Sequence, residues 1–257
     1  MDRSTIGLAG SAALLSQGAA AAGAARQDPF NSGMWETHLE MALESPSDWA
    51  FDPAVRLLAP READDARHLP LMLDATALGP VSKIVVTADY SPFPVVFSFK
   101  PGRAAAKLGF GMKIEEATPI RVSAQRPDGS WRVGGEYVRA AGGGCGVPAK
   151  AHERPDWQAT LGETRARLWP EGRLRLRITH PMDTGLADGA PIFFLTELTI
   201  LDRRDDEVAS LEIGVPVEEN PSFAFDLPAE IATEGVRIVA RDNMGYEIEH
   251  DVPGAAS

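Results

Sequence analysis

Alternation of apolar and polar residues with a period of two runs through most of this chain and restricts what it can fold into. The alternation is clearest in four segments, residues 84–89, 95–100, 120–125 and 173–178. A period of two places successive side chains on opposite faces of a strand. Proline and glycine turns separate these segments, and no long helical pattern lies between them. The sequence therefore predicts an all-β protein built from antiparallel β-sandwiches.

The alternation stops between Ala140 and Asp156, and the break contains the chain's only cysteine, Cys145. Four glycines surround this cysteine: Gly142, Gly143, Gly144 and Gly146. Clustered glycines without periodicity are typical of a domain boundary. We therefore expect a first β-sandwich over residues 51–140, a glycine-rich arm and linker over 141–160, and a second β-sandwich over 161–257.

Two segments precede the first predicted sandwich. Residues 1–25 are nearly all small or apolar after Arg3 and contain an Ala-X-Ala pattern at residues 22–24, which predicts a secretory signal peptide and export. A flexible leader without an export role is the alternative. Within residues 26–50, Trp35, Leu39 and Leu43 recur at helical spacing, which predicts a short helix over 30–45 that packs on the core.

Composition excludes several classes of function. The chain has 257 residues and a formal net charge of −12, so it repels phosphate backbones and we expect no nucleic-acid partner. No segment beyond the leader approaches the length of a membrane span, so no membrane partner is expected. A single cysteine cannot form an intramolecular disulfide or build a cysteine-type zinc site. The sequence predicts no metal site and no cofactor.

Cys145 is the candidate functional residue. Glycines are costly to order, so we expect the arm to be mobile and the thiol to be exposed. An accessible thiol can form a thiolate and then a disulfide or a persulfide, which favours a carrier with a covalent cargo and also permits a disulfide-linked homodimer. One alternative is an ordinary linker that contains a cysteine. Another is nucleophilic catalysis with His152 as the base, which requires a rigid, aligned pair.

Two other groups of residues are candidates for binding. Imidazole and thioether ligands suit copper(I), but each candidate pair, His180 with Met182 and His38 with Met41, supplies only two ligands. Five arginines form a local basic patch in an acidic chain, which suits an anion, a docking partner or a solvated strand face. They are Arg165, Arg167, Arg173, Arg175 and Arg177.

Residues 143–146, Gly-Gly-Cys-Gly, resemble the Gly-Gly-Cys-Gly-Gly arm of SoxY, the sulfur-carrying subunit of the periplasmic thiosulfate-oxidising system. Residues 53–139 resemble the SoxY domain that precedes this arm. Four later segments resemble SoxZ signatures in the SoxZ order: residues 180–186, 192–199, 219–225 and 242–245. The chain thus resembles a SoxY–SoxZ fusion and is similar to the SoxYZ-like carriers associated with quinoprotein dehydrogenases.

The resemblance implies two immunoglobulin-like sandwiches and a periplasmic protein that is not itself an enzyme. It implies that Cys145 holds sulfur intermediates for sulfur-oxidising partner enzymes, while the SoxZ-like half is a structural partner. The chain departs from SoxY because the arm continues through Val147 and Pro148 into a second domain, and an arm tethered at both ends samples fewer positions. The alternative is a non-enzymatic accessory protein of a PQQ-dependent quinoprotein (alcohol) dehydrogenase, in which Cys145 is incidental or merely regulatory.

Overall fold

A computed structural model describes residues 26–255 of the chain. The predicted signal peptide, residues 1–25, lies outside the described residues. Two short helices are present in the described part, α1 (Trp35–Met41) and α2 (Ala229–Glu234). Neither is long and apolar enough to cross a membrane. The strands, in chain order, are β1 (Trp49–Phe51), β2 (Arg56–Leu58), β3 (Glu62–Ala63), β4 (Leu69–Asp74), β5 (Lys83–Ala88), β6 (Val95–Lys100), β7 (Lys107–Met112), β8 (Thr118–Gln125), β9 (Trp131–Ala140), β10 (Thr164–Leu168), β11 (Arg173–Ile178), β12 (Leu195–Leu201), β13 (Glu207–Ile213), β14 (Ser222–Asp226), β15 (Gly235–Asp242) and β16 (Glu247–Pro253).

These strands form two sheets, which confirms the predicted all-β, sandwich-type fold, although β1 and β3 pair parallel with β9. The larger sheet has the order β1-β9-β8-β5-β6-β13-β12-β15-β16, with β3 also paired to β9, and the smaller has the order β10-β11-β14-β7-β4-β2. Strands β1–β9 precede the glycine-rich arm and β10–β16 follow it. Both sheets cross from one half of the chain to the other, because β6 pairs with β13 and β7 pairs with β14, each antiparallel.

The inward faces of the two sheets share one continuous apolar core. Phe97 of β6 packs edge-on against Phe110 of β7 with ring centroids 4.7 Å apart. Phe99 of β6 packs against Phe225 of β14 at 6.0 Å. Phe225 lies after the arm in the chain, whereas the other three phenylalanines precede it. The two halves therefore contact each other through side chains packed as in the core of a single domain. Each fully buried phenylalanine contributes roughly 1.5–3 kcal/mol of transfer free energy.

Helix α1 covers the outer face of the larger sheet. Trp35 is buried there in a second apolar cluster with Val85 of β5 and Trp131 of β9, which leaves β5 buried on both faces. The helix is shorter than the span of residues 30–45 predicted from the sequence. The chain leaves helical geometry soon after Met41, and Glu44 adopts a left-handed backbone with φ +60°.

A buried ionic network fastens the segment before α1 to β8. Arg121 is 0% exposed and donates to Asp28 through Nη1 and to Asp89 through Nη2, each at 2.7 Å. His38 Nε2 lies 2.9 Å from Asp89 Oδ1. Burial raises the pKa of Asp89, but hydrogen bonds from Arg121, His38 and Ser32 outweigh it and lower that pKa to about 2. His38, considered above as a copper ligand, belongs to this network.

Candidate functional site

The glycine-rich arm that carries Cys145 is docked where the two halves of the chain meet. The backbone N–H groups of Gly143 and Cys145 both donate to Glu115, the first to its carbonyl oxygen (2.8 Å) and the second to its Oε2 (2.9 Å). From the second half, the hydroxyl of Thr184 donates to the carbonyl oxygen of Cys145 (2.6 Å). The arm is therefore held by the loop between β7 and β8 on one side and by the segment after β11 on the other.

The side chain of Cys145 is a free thiol and is 0% exposed. The expectation of an exposed thiol is wrong for this docked arrangement, because backbone hydrogen bonds hold the arm against the protein. Burial, and secondarily the negative charge of Glu115, raise the pKa of Cys145 to about 11 from an ordinary value of 9.0, although Lys113 opposes the shift. The docked thiol is thus protonated at neutral pH and is a poor nucleophile. The mobility of the arm stays a prediction.

The arm glycines have different structural roles. Gly142 and Gly143 adopt left-handed backbone conformations, with φ of +97° and +85°, which glycine accepts without strain. Gly144 N–H donates to the carbonyl oxygen of Ile114 (3.0 Å), and a Cβ at this position would lie 2.0 Å from the carbonyl oxygen of Ala66. At Gly146 an added Cβ would meet nothing within 4 Å. Close packing therefore requires glycine at 144 but not at 146.

Lys113 places a buried amine beside the docked arm. Its side chain follows β7, is only 6% exposed, and donates from Nζ to the carbonyl oxygen of Met182 in the second half. Burial lowers the pKa of Lys113, whereas the carboxylates of Asp183 and Glu219, and Cys145 when it is ionised, favour the charged form of the lysine. A cation in this position favours negative charge on the Cys145 sulfur.

Sequence reasoning missed the side chains that hold the arm, namely Lys113, Glu115 and Thr184. Thr184 lies in the His180–Leu186 segment that resembles SoxZ, but nothing in that pattern relates it to Cys145. Lys113 stands between Met112 and Ile114, both of which are buried. A lysine between two apolar residues was the one available signal.

The structure gives His152 a partner other than Cys145. His152 lies on a short 3-10 turn (Lys150–Glu153), and its Nε2 is 2.7 Å from Asp183 Oδ2. Its ring packs edge-on against Trp157 with centroids 5.0 Å apart. Between residues 26 and 255, no hydrogen bond joins His152 to Cys145. The Cys–His pair that nucleophilic catalysis requires is therefore not assembled in the docked arrangement.

His180 and Met182 form a buried turn. The backbone N–H of Met182 donates to His180 Nδ1 (3.1 Å), and Met182 Sδ accepts from the backbone N–H of Leu195 (3.3 Å). His180 Nε2 faces Asp242 Oδ2 at 3.7 Å. Burial lowers the pKa of His180 to about 4, so the ring is neutral at pH 7. In the described part of the chain, no three His, Cys, Asp or Glu side chains are grouped as metal ligands.

The five arginines of the predicted basic patch are split by the structure. Arg173 pairs through Nε with Asp226 Oδ1 (3.1 Å). The other four point outward from β10 and β11, because the alternate residues Leu174 and Leu176 enter the core.

The fold and the site define a class of protein: a two-layer β-sandwich whose halves meet around a glycine-rich segment bearing one free cysteine. Residues 40–145 match the family model of the sulfur oxidation protein SoxY, and residues 171–253 match that of the sulphur oxidation protein SoxZ. The chain belongs to these two families as a single polypeptide, a SoxY–SoxZ fusion. The SoxY match ends at Cys145 itself.

Comparison with solved structures finds remote similarities. The chain is similar to the sulfur carrier protein SoxY from Chlorobium limicola f thiosulfatophilum at 14% identity and a TM-score of 0.39, over 43% of this chain and 99% of that chain. It is also similar to a superoxide reductase (neelaredoxin) from Ignicoccus hospitalis at 12% identity and a TM-score of 0.29, over 41% of this chain and 91% of that chain. A search of curated proteins finds no match.

Proposed function

We propose that this SoxY–SoxZ fusion is a periplasmic carrier that holds sulfur intermediates covalently on Cys145 while partner enzymes act on them. The observation that carries the proposal is the placement of a free thiol on a segment containing Gly142, Gly143, Gly144 and Gly146, at the end of the SoxY match. A few hydrogen bonds to Glu115, Ile114 and Thr184 fasten this segment. The protein itself supplies no catalysis in this role.

Release of the arm prepares Cys145 for loading. In the docked state the pKa of Cys145 is about 11, and once the arm is released it returns toward 9.0. Two pKa units correspond to about a hundredfold more thiolate at neutral pH. The thiolate is the reactive form of cysteine, so docking protects the empty carrier and release activates it.

Loading is a balanced sulfur-transfer step. Joining the thiol to thiosulfate forms one S–S bond and releases one proton and two electrons, which an electron-accepting partner enzyme removes. Tetrathionate achieves the same product without a further oxidant. The Cys145 thiolate attacks an inner sulfur of tetrathionate, a new S–S bond forms, the central S–S bond breaks, and thiosulfate leaves with the electron pair.

The test is mass spectrometry of the protein after incubation with tetrathionate. We expect one thiosulfate-derived adduct, located on the peptide that contains Cys145 and removed by dithiothreitol. The Cys145→Ser variant is the matched control and acquires no adduct. Unmodified thiol or plain disulfide dimer as the only products would refute the carrier role. Dimer formation on non-reducing gels measures how readily two released arms oxidise together.

The compartment and the partner enzymes are tested in the native organism. Mass spectrometry of the protein from periplasmic extract reports the mature N-terminus and the cargo bound to Cys145 at once. Thiosulfate-oxidising partners predict that Cys145→Ser abolishes growth on thiosulfate. A Cys145→Ser chain that fully supports a quinoprotein dehydrogenase would replace the carrier role with an accessory role.

A further inference from the structure

Four arginines stand in register on the outer face of the smaller sheet. They form the arginine patch: Arg165 and Arg167 on the edge strand β10, and Arg175 and Arg177 on β11. Arg165 lies directly opposite Arg177, and Arg167 directly opposite Arg175. All four are exposed, while the residues between them face the core.

None of the four arginines of the patch forms an ion pair with a carboxylate of the described residues. Most other arginines of the described residues pair with a carboxylate, such as Arg103 with Asp202 at 2.8 Å; Arg26, Arg61 and Arg241 do not. Within residues 26–255, no carboxylate oxygen lies within 4.0 Å of the four patch guanidinium groups. Like charges directly opposite each other destabilise a strand pair. A chain of net charge −12 has many acids available, so two opposed pairs of arginines without an ion-pair partner are not explained by stability.

The arginine patch extends toward the cysteine arm. It lines a groove of about 570 Å³ together with apolar residues of β4, β7 and β14. Arg165 and Arg177 also border a neighbouring cleft of about 390 Å³ that contains Lys150 and Arg154, which follow the arm in the chain. Lys150 therefore extends the run of cations toward the segment that leaves Cys145, whereas Arg154 pairs with Asp156 (3.3 Å).

Three carboxylates border this surface without forming an ion pair with the patch, and the charge of Arg177 favours the ionised form of one of them, Glu218. Glu219 accepts from the backbone N–H groups of Lys150 and Ala151 at 2.8 and 2.9 Å. Glu218 is buried against His68 and accepts from the backbone N–H of Ser222 (3.2 Å). Glu163 is the remaining acidic residue at the cleft.

We propose that the arginine patch is a docking surface for the acidic face of a partner protein. A two-stranded row of exposed guanidinium groups suits several carboxylates on a protein surface, and Arg is the residue that pairs with them bidentately. The rest of this acidic chain repels such a partner, so the patch sets one orientation of approach. That orientation brings the partner toward the arm, and the identity of the partner as an enzyme acting on Cys145 rests on the proposed function.

A labelled acidic peptide tests the proposal. Fluorescence anisotropy measures binding of a fluorescein-tagged oligoglutamate of about ten residues to the full chain at low salt. We expect binding that weakens with added salt and at least about tenfold weaker binding for Arg165→Glu/Arg177→Glu. The matched control, Arg56→Glu/Arg126→Glu, changes the net charge by the same amount at sites on the first half. We expect it to change the affinity for the peptide by no more than about twofold, which is the effect of net charge alone.

Three results would overturn the proposal. One is no measurable peptide binding, and another is equal loss in the patch and control variants. A third is stronger binding of free sulfate or of phosphatidylglycerol vesicles than of the peptide, since these assign the patch to a small anion or to a lipid surface. If Arg165→Glu/Arg177→Glu unfolds, Arg165→Gln/Arg177→Gln replaces it. Adduct formation with tetrathionate in the patch variants separates failure of docking from failure of the carrier role.

Discussion

Replacing Gly144 with alanine is expected to release the Cys145 arm from its docked position. The new Cβ would lie 2.0 Å from the carbonyl oxygen of Ala66 and 2.5 Å from that of Ile114. Both are backbone atoms, and they are held together because Ile114 N–H donates to the Ala66 carbonyl (2.7 Å). Neither can move aside as a flexible side chain would. The backbone of Gly144 is not left-handed, so alanine disturbs the docking and not the local conformation.

The size of the effect follows from the pKa of the thiol. Docking raises the pKa of Cys145 to about 11 from 9.0, and release removes that shift. The thiolate fraction at neutral pH then rises about a hundredfold. Since alkylation proceeds through the thiolate, we expect Cys145 in Gly144→Ala to react about a hundredfold faster than in the wild type.

The assay is the rate of iodoacetamide labelling at neutral pH, followed by intact-protein mass spectrometry. Gly146→Ala is the matched control, because a Cβ there meets nothing within 4 Å, and it should react at the wild-type rate. The wild type in guanidinium chloride sets the rate of a fully released thiol. Circular dichroism checks that the sandwich of Gly144→Ala remains folded.

Two results would refute this reasoning. If native wild-type Cys145 already reacts at the denatured rate, the thiol is not buried in solution. If Gly144→Ala and Gly146→Ala react at the same rate while both are folded, contact with Ala66 and Ile114 does not hold the arm.

Three further predictions concern the same contacts and the ionic network. Thr184→Val removes the hydrogen bond to the Cys145 carbonyl, worth about 1 kcal/mol, and should speed iodoacetamide labelling about fivefold, whereas Thr184→Ser should not. Because docking raises the pKa of Cys145, the stability contributed by the buried protonated thiol is complete below pH 9 and is lost as pH rises through about 11. Urea denaturation should therefore show that the free energy of unfolding falls by about 2.7 kcal/mol over this pH range, and that it does not fall in this way in Cys145→Ala. Arg121→Met leaves Asp28 and Asp89 without their cation and should lower the free energy of unfolding by about 3–5 kcal/mol, measured by urea denaturation at pH 7; an unchanged value would contradict the role of the network.

The strands were predictable where burial on one face preserves the alternation. In β11, Leu174 and Leu176 enter the core while Arg175 and Arg177 remain exposed, and the sequence predicts this strand and its faces correctly. Strand partners were not predictable. The pairing of β6 with β13 joins residues more than a hundred positions apart, and a period of two determines which face is buried but not which strand lies alongside.

The site was predictable as a position but not as an environment. The composition of residues 142–146 identified Cys145, and the cost of ordering glycine suggested an exposed thiol. That argument omits the contacts that compensate the cost. Glu115 and Thr184 lie 30 and 39 positions away from Cys145 in the sequence, and only the fold brings them to the arm. Gly144 is required because a backbone carbonyl approaches it, not because it must move.

The pairing of β6 with β13 and of β7 with β14 has a consequence for how the two halves assemble. Separated, each half would present two unpaired strand edges and an exposed apolar face, both of which promote aggregation. A cut within residues 146–163 would leave a two-chain complex whose unfolding depends on protein concentration, whereas the intact chain unfolds independently of it. Covalent linkage supplies an effective concentration on the order of millimolar. It also fixes the two halves at a one-to-one ratio whatever the level of synthesis. Each Cys145 is therefore synthesised together with the second half of the chain, which helps to bury it.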